Sequence, residues 1–275
     1  MDLIIHNNFG SQSSTSDSFA NILYKTISYV SDVKKVSKKN YNLATSTSKS
    51  LVVENSGKFT LGGKNKALIK SGDIDELTIK KADGYLKTTG FDVLHVKNAD
   101  IGIHDFLMCG SSYKTARALT RKFLKGDDSI TGSQADDYLS GYRGKDIITG
   151  GLGADVMFGG HGKDHFVYNS TSDSGSATTT TINGFLHAGG NTYTQSDFND
   201  LILDFQSGKD KIDLRNIGLK SKQSLSIVSK TYDTTENSPN SSYDLWVDQD
   251  RDGYPDMVIG FVDTHHKLKL SDILI

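Results

Sequence analysis

Five aspartates recur every nine residues in the middle of the chain, and carboxylates at this spacing can bind a metal ion. They are Asp128, Asp137, Asp146, Asp155 and Asp164. Carboxylates are hard oxygen ligands, and calcium accepts about six to eight oxygens at variable geometry, whereas magnesium requires a tighter octahedron. The aspartates therefore indicate a calcium-binding segment.

Glycines accompany these aspartates in a repeated unit that runs from Phe123 to Val167. In register the units read FLKGDDSIT, GSQADDYLS, GYRGKDIIT, GGLGADVMF and GGHGKDHFV. The units match the pattern G-G-x-G-x-D-x-U-x, in which U is an apolar residue, and the match improves toward the C-terminus. Glycine allows positive φ and close backbone approach, so each unit predicts a tight turn followed by a short strand. We expect the turns to contribute further metal ligands at Gly141, Gly144, Gly150, Gly151, Gly153, Gly159 and Gly162.

The elements that must position these ligands follow from the period. Two units make one full coil, so alternate units stack, with Asp128, Asp146 and Asp164 along one edge and Asp137 and Asp155 along the other. Carboxylates stacked at the strand spacing of about 4.8 Å repel one another unless a cation lies between them. Three stacked pairs predict about three calcium ions. The apolar eighth positions form an interior seam and are Ile130, Leu139, Ile148, Met157 and Phe166.

A run rich in glycine and aspartate can also be a flexible polar loop, because such composition buries little apolar surface. Without calcium we expect the segment to be close to that state. Five units in register resemble the RTX, or hemolysin-type calcium-binding repeat, family. The resemblance implies a parallel β-roll that orders on binding calcium. Together with the short alternating runs elsewhere, it predicts an all-β fold with a β-rich N-terminal region and a C-terminal β flanking segment. The first unit and Ala135 of the second depart from the pattern.

A second acidic loop lies near the end of the chain, between two runs that read as strands, Leu245–Val247 and Met257–Phe261. Its spacing is that of an EF-hand loop, although Ile259 replaces the final bidentate glutamate. We expect one more calcium ion in a strand–loop–strand setting, and an acidic hairpin turn is the alternative. The candidate ligands are Asp248, Asp250, Asp252, Tyr254 through its carbonyl, and Asp256.

The rest of the chain divides around the repeats. The predicted regions are a β-rich N-terminal region at 1–122, the repeats at 123–167, a polar loop or insert at 168–199 and a C-terminal flank at 200–275. From Asp200 the sequence resembles the segment after the repeats in serralysin-type proteases and alginate epimerase modules. In the N-terminal region, alternating runs broken at Gly62-Gly63, Ser71-Gly72 and Asp83-Gly84 predict short strands in a sandwich or an irregular β-helix. A helix is predicted around 115–124.

Sequence features at the two termini indicate how the protein could be exported. The N-terminus lacks the basic start and the long apolar run of a secretory signal peptide. The C-terminus ends with Asp272 followed by Ile273, Leu274 and Ile275. This ending resembles the uncleaved tail of type I secreted RTX proteins, and an ordinary closing strand is the alternative. We therefore expect a secreted, extracellular protein that passes through type I secretion machinery.

The charge distribution and the sequence motifs limit the classes of function that fit this chain. Residues 1–125 carry 19 Lys and Arg against 11 Asp and Glu, whereas residues 126–275 carry 12 against 22. An acidic half suits calcium binding, and a basic half suits an anionic exopolysaccharide, lipid headgroups or the acidic half of another copy. Dispersed lysines on a solvated sheet face are the alternative. The sequence contains no H-E-x-x-H, G-x-S-x-G or P-loop motif. Nothing in it indicates a nucleic-acid partner or a membrane span.

These observations predict a secreted, non-enzymatic calcium-binding protein that folds, and self-associates, on binding extracellular calcium. Its expected role is that of a structural or adhesive component of an extracellular matrix or biofilm. Two alternatives stay open, because the family supports many functions. One is a polysaccharide-modifying or other secreted enzyme, or its accessory module, and the other is a small host-directed effector.

Overall fold

The computed structural model describes residues 2–5, 30–36, 40–45, 51–62, 68–81, 92–108, 111–134, 136–174, 185–186, 192–193, 199–230, 241–264 and 268–275. The described residues up to Lys125 form one compact unit, and those from Gly126 onward form another. Within these residues no helix is long and apolar enough to span a membrane.

The N-terminal unit contains an antiparallel sheet of six strands in the order β2-β3-β4-β5-β6-β1. The strands are β1 Asp2–Ile5, β2 Val30–Val36, β3 Asn40–Thr45, β4 Leu51–Gly62, β5 Leu68–Lys81 and β6 Asp92–Gly102. The prediction of a sandwich or an irregular β-helix is therefore wrong for this part of the described chain. Buried apolar pairs across β5 and β6, such as Leu77 opposite Val96, hold the strands together.

The predicted turn at Ser71-Gly72 is also wrong, because both residues lie inside β5. Gly72 has a φ of +145° and stands opposite Phe59, next to a register shift between Thr60 and Leu61. A glycine at such a shift accommodates a β-bulge without ending the strand. The strands are consequently longer than the alternating runs suggested.

Two helices follow the sheet, α1 at Ile103–Met108 and α2 at Tyr113–Phe123. The Ser112 side chain accepts a hydrogen bond from the Thr115 backbone amide at 3.1 Å, which caps the start of α2. Arg121 and Lys122 lie in its last turn, where basic side chains suit the helix dipole. The predicted helix around 115–124 is confirmed, and it begins two residues earlier.

The C-terminal unit is a parallel β-roll, in which successive short strands alternate between two sheets. The first sheet contains β7 Ser129–Thr131, β10 Ile147–Thr149, β13 His165–Val167, β17 Lys211–Asp213 and β21 Ile273–Leu274. The second contains β8 Tyr138–Ser140, β11 Val156–Phe158, β16 Asp200–Ile202, β20 Met257–Thr264, β19 Ser241–Val247 and β18 Leu225–Lys230. Apart from the antiparallel β18 and β19, the paired strands of both sheets run parallel. The predicted all-β fold with a parallel roll is confirmed.

The interior of the roll is the predicted apolar seam, extended by later strands. One column consists of Ile130, Ile148, Phe166, Ile212 and Ile273, and the other of Leu139, Met157, Ile202 and Phe261. All of these side chains are buried. Phe205 lies between the sheets, with its ring centroid 6.2 Å from that of Phe166 and 5.3 Å from that of Phe261. The nine-residue period therefore supplies a continuous core.

Two short strand pairs complete the described strands. Strand β9, Arg143–Gly144, pairs in parallel with β12, His161–Gly162, in the turns of the repeats. Strand β14, Phe185–Leu186, pairs antiparallel with β15, Thr192–Tyr193. The described residues of 168–199 are therefore not all exposed loop, since they contain this hairpin and the buried Ser174. Most of that segment lies outside the described residues.

The C-terminal residues close the first sheet, because β21 pairs with β17. Ile273 and Asp272 are buried at 1 % exposure each. The Asp272 carboxylate accepts hydrogen bonds from the Ser207 hydroxyl at 2.6 Å and the Gly208 amide at 3.0 Å. The tail is thus a closing strand in the folded protein, and its role in export stays a prediction.

Candidate metal centre

The structure brings the repeat aspartates together as two columns. On one edge, the backbone amide of Asp128 donates to Asp146 Oδ1 at 2.9 Å, and the amide of Asp146 donates to Asp164 Oδ1 at 3.0 Å. On the other edge, the amide of Asp137 donates to Asp155 Oδ1 at 2.8 Å. Each carboxylate therefore reaches back to the turn before it in the stack, and the columns are those that the period predicts.

The second carboxylate oxygen of three of these aspartates is buried and makes no hydrogen bond. These atoms are the Oδ2 atoms of Asp146, Asp155 and Asp164, whose residues are at most 1 % exposed. A buried polar atom without a partner costs about 1–3 kcal/mol, and more when it is charged. Oxygens of this kind in a column are suited to a shared cation.

The glycine at the start of each turn leaves open the space that these oxygens face. A Cβ atom added at Gly141 would lie 2.3 Å from Asp146 Oδ2 and 2.7 Å from the Gly159 carbonyl oxygen. At Gly132 such an atom would lie 2.1 Å from the Gly150 carbonyl oxygen. Calcium binds oxygens at about 2.3–2.6 Å. The donor set and the open space therefore both fit calcium.

Other predicted glycines are required for backbone approach between stacked turns. A Cβ at Gly162 would lie 1.5 Å from the Gly144 carbonyl oxygen, and a Cβ at Gly144 would lie 1.9 Å from the Gly126 carbonyl oxygen. Gly151 and Gly153 occupy turn positions with φ of +104° and +118°. The first two glycines therefore let stacked turns approach closely, and the other two permit left-handed turn conformations.

The electrostatics of the columns disfavour full ionisation of their carboxyl groups. Burial raises the pKa of Asp146 to about 7, and the charges of Asp164 and Asp128 add to the shift. Burial and the charges of Asp200 and Asp137 raise the pKa of Asp155 well above its usual range. Without a cation these carboxyls gain from binding protons, because stacked charges in a buried column are unfavourable.

Two family models match the chain in this part of the structure. Residues 124–157 and 140–174 match the RTX calcium-binding nonapeptide repeat. The central segment is an RTX calcium-binding repeat region. Residues 189–275 match the C-terminal segment of the serralysin peptidase M10 family, so the predicted resemblance of both segments is confirmed.

The comparison with solved structures gives neighbours from Azotobacter vinelandii. The AlgE6R3 subunit of its mannuronan C5-epimerase is 22 % identical, and the match has a TM-score of 0.32 over 55 % of this chain and 78 % of that chain. The AlgE6R2 subunit is 24 % identical, with a TM-score of 0.31 over 55 % of this chain and 88 % of that chain. Similarity at this level does not bear on function. No curated protein sequence matches the chain.

Two aspartates beyond the RTX repeats join the columns and a third, Asp204, binds a turn beside them; sequence reasoning missed all three. The amide of Asp155 donates to Asp200 Oδ1 at 2.9 Å, and the amide of Asp164 donates to Asp210 Oδ1 at 3.1 Å. Asp204 accepts hydrogen bonds from the amides of Gly159 and Gly160, and burial raises its pKa to about 7. The signal was present in the run GKDKI at 208–212, which repeats the run GKDHF at 162–166.

The acidic loop outside the RTX repeats joins β19 to β20, as predicted. One carboxylate oxygen each from Asp248, Asp250 and Asp256 lie within 4.8 Å of one another. Asp252 lies outside this cluster, and its Oδ1 accepts the Tyr254 backbone amide at 2.8 Å. Three of the four predicted carboxylate ligands are therefore together.

Proposed function

We propose that this protein is a secreted, non-enzymatic calcium-binding protein whose roll orders when it meets extracellular calcium. The observation that carries this proposal is the set of buried carboxylate oxygens in the two columns, at Asp146, Asp155 and Asp164, that make no hydrogen bond. The match of residues 124–174 to calcium-binding repeats supports it.

The proposed ligands in the repeats are the stacked carboxylates and the turn carbonyls. Calcium lies between Asp128 and Asp146, between Asp137 and Asp155, and between Asp146 and Asp164, each pair being joined by an amide hydrogen bond. The turn ligands are Gly141, Gly144, Gly150, Gly151, Gly153, Gly159 and Gly162. A further ion at 248–256 is supported by the clustering of Asp248, Asp250 and Asp256.

Calcium stabilises the folded roll because its binding is thermodynamically linked to folding. An ion that binds only the folded state stabilises it by RT ln(1 + [L]/Kd), which is about 2.7 kcal/mol per site at one hundred times Kd. Sites with affinities near the millimolar range stay empty in the cytosol and fill outside the cell. Folding therefore becomes directional, because it follows export.

Calcium titration of the full chain tests this proposal. Far-UV circular dichroism records the gain of β structure, and sedimentation velocity records compaction of the same sample. We expect a calcium-free chain that is expanded and a calcium-bound chain that is compact. A chain that keeps the same compact form in excess chelator would contradict the proposal.

The proposed biological role is structural or adhesive, in an extracellular matrix or biofilm. The six-residue strand β18, Leu225–Lys230, is the terminal strand of its sheet within the described residues, and an edge of this length can pair with another chain. This supports calcium-dependent self-association, and the basic N-terminal half supports an anionic exopolysaccharide as a partner. Light scattering with and without calcium tests the assembly, and a strictly monomeric chain in both conditions would remove it.

A second candidate function is that of an accessory module for a catalytic partner. It is supported by the match of residues 189–275 to the C-terminal segment of a peptidase family. Turnover of protein or polysaccharide substrates by the purified chain, alone and with a co-expressed partner, separates this candidate from the structural role.

A further inference from the structure

The exposed face of helix α2 carries charges of one sign. Residues 106–126 contain five basic residues and no acidic residue. Lys114, Arg117 and Arg121 are exposed and stand at positions i, i+3 and i+7, so they share one side of the helix. At a rise of about 1.5 Å per residue they extend over about 10 Å. These three side chains form the cationic face, and Lys125 adds an exposed cation just beyond the helix end.

The rest of the helix surface holds the cationic face in place. Ala116 and Leu119 are buried, and α2 contacts α1 and β6 within the N-terminal unit. Lys122 forms an ion pair with Asp105 of α1, which ties the two helices together. Ser112 caps the first turn. The cationic face therefore lies on a helix whose position in its unit is fixed.

Helix stability by itself does not favour this arrangement of charges. Lys114 lies in the first turn, where the helix dipole favours an acidic side chain, and the first turn of α2 has none. Arg117 and Arg121 stand at i and i+4, where like charges destabilise a helix. A solvated helix face usually alternates charges of both signs. A face of one sign is instead typical of a surface that attracts a partner of opposite charge.

The acidic half of another copy offers little exposed charge to this face. Ten aspartates of that half are buried among the described residues, and several of them are proposed to bind calcium. They are Asp128, Asp137, Asp146, Asp155, Asp164, Asp200, Asp210, Asp213, Asp244 and Asp272. The exposed Asp250 and Asp256 belong to the loop for which calcium is also proposed. A partner with its own exposed negative charge complements the cationic face better.

The residues of α2 also limit the class of anionic partner. A helix that binds a membrane surface presents apolar side chains to it, whereas Ala116 and Leu119 are buried. The exposed positions of α2 include no aromatic ring on which a nucleic-acid base could stack. Guanidinium and ammonium groups bind carboxylates through charge-assisted hydrogen bonds.

We propose that the cationic face binds an anionic polysaccharide through the carboxylates along the polysaccharide chain. This inference rests on the matrix role proposed above and adds the surface at which the polysaccharide binds. The residues that carry it are Lys114, Arg117 and Arg121.

The test compares polysaccharide binding by the wild-type full chain and by the triple variant Lys114→Gln, Arg117→Gln and Arg121→Gln. Glutamine is a good helix former, so the variant removes charge and keeps the helix. Fluorescence polarisation of labelled linear polyglucuronate, in calcium, gives the Kd, and far-UV circular dichroism verifies the fold. We expect the Kd of the triple variant to be about tenfold higher or more, because three ion pairs with carboxylates are lost.

The matched control is the triple variant Lys58→Gln, Lys97→Gln and Lys220→Gln, which removes the same charge from exposed lysines elsewhere. We expect its Kd to stay close to that of the wild-type chain. Equal losses of affinity in the two variants would overturn the cationic face as the binding surface.

The same samples separate the other partners. Tighter binding of labelled duplex DNA or of phosphatidylserine vesicles than of polyglucuronate would overturn the assignment to a polysaccharide. Loss of self-association by the first triple variant in light scattering, without polysaccharide, would point to a second copy and overturn it as well. A wild-type chain that folds in calcium but does not bind polyglucuronate would overturn this surface and leave the calcium function intact. A wild-type chain that binds no calcium would refute the calcium function itself.

Discussion

Replacing Gly141 with alanine tests the calcium space most directly, because only the added methyl group differs. Its Cβ would lie 2.3 Å from Asp146 Oδ2 and 2.7 Å from the Gly159 carbonyl oxygen, well inside the 3.4 Å of ordinary contact. Overpacking of this kind costs about 1–3 kcal/mol. Loss of one ion at one hundred times Kd costs about 2.7 kcal/mol more.

The combined loss for Gly141→Ala is therefore about 4–6 kcal/mol, where about 1.4 kcal/mol is a factor of ten in an equilibrium constant. Because about three ions bind together with folding, this loss of free energy is divided among them. It therefore raises the calcium concentration at the folding midpoint by about tenfold or more. The assay is a calcium titration followed by far-UV circular dichroism.

Gly126→Ala is the matched control, because a Cβ added at Gly126 has no atom within 4 Å. A surface substitution of this kind changes stability by about 0.5 kcal/mol or less, so its midpoint stays close to that of the wild-type chain. Equal midpoints for Gly141→Ala and Gly126→Ala would refute the assignment of this space to calcium.

The remaining predictions concern acidity, the core and the second acidic loop. In chelator, lowering the pH from about 7 to about 4 shifts the chain toward the folded state, because folded Asp146, with a pKa near 7, holds a proton that the unfolded chain releases. Far-UV circular dichroism across this range checks the sign, and a loss of β structure on acidification would contradict it. Phe166→Ala removes a fully buried ring and lowers the free energy of unfolding by about 3–5 kcal/mol. Leu152→Ala, at 41 % exposure, lowers it by about 0.5 kcal/mol or less. Urea titrations in calcium compare the two variants, and equal losses of stability would refute the core assignment. We expect Asp256→Asn to bind one ion fewer in ⁴⁵Ca²⁺ dialysis and to leave the calcium concentration at the folding midpoint of the roll unchanged. An unchanged ion count would refute a calcium site at 248–256.

The repeat region was predictable because its information is local. A nine-residue period determines which side chains share a face, so the interior position of Ile148 and the stacking of Asp128 on Asp146 follow from counting. The loop at 248–256 was predictable for the same reason, since adjacent strands bring its ends together. The clustering of only Asp248, Asp250 and Asp256 depends on the path of the loop backbone, which spacing does not give.

The N-terminal sheet was less predictable, because its pairing is between distant segments. Gly72 signals a turn in the sequence, but pairing with β4 on one side and β6 on the other holds it inside a strand. Tertiary contacts of this kind override a local turn preference.

By itself, the sequence determined that the chain contains a coil of short strands with aspartates along its edges, because covalent spacing alone sets that geometry. Only the tertiary structure decided where the columns end. Asp200 and Asp210 join them across 45 and 46 residues, because parallel pairing of β16 and β17 with earlier strands restores the register that the insertion interrupts. Register between strands is set by the packed apolar seam, and no spacing along the chain records it.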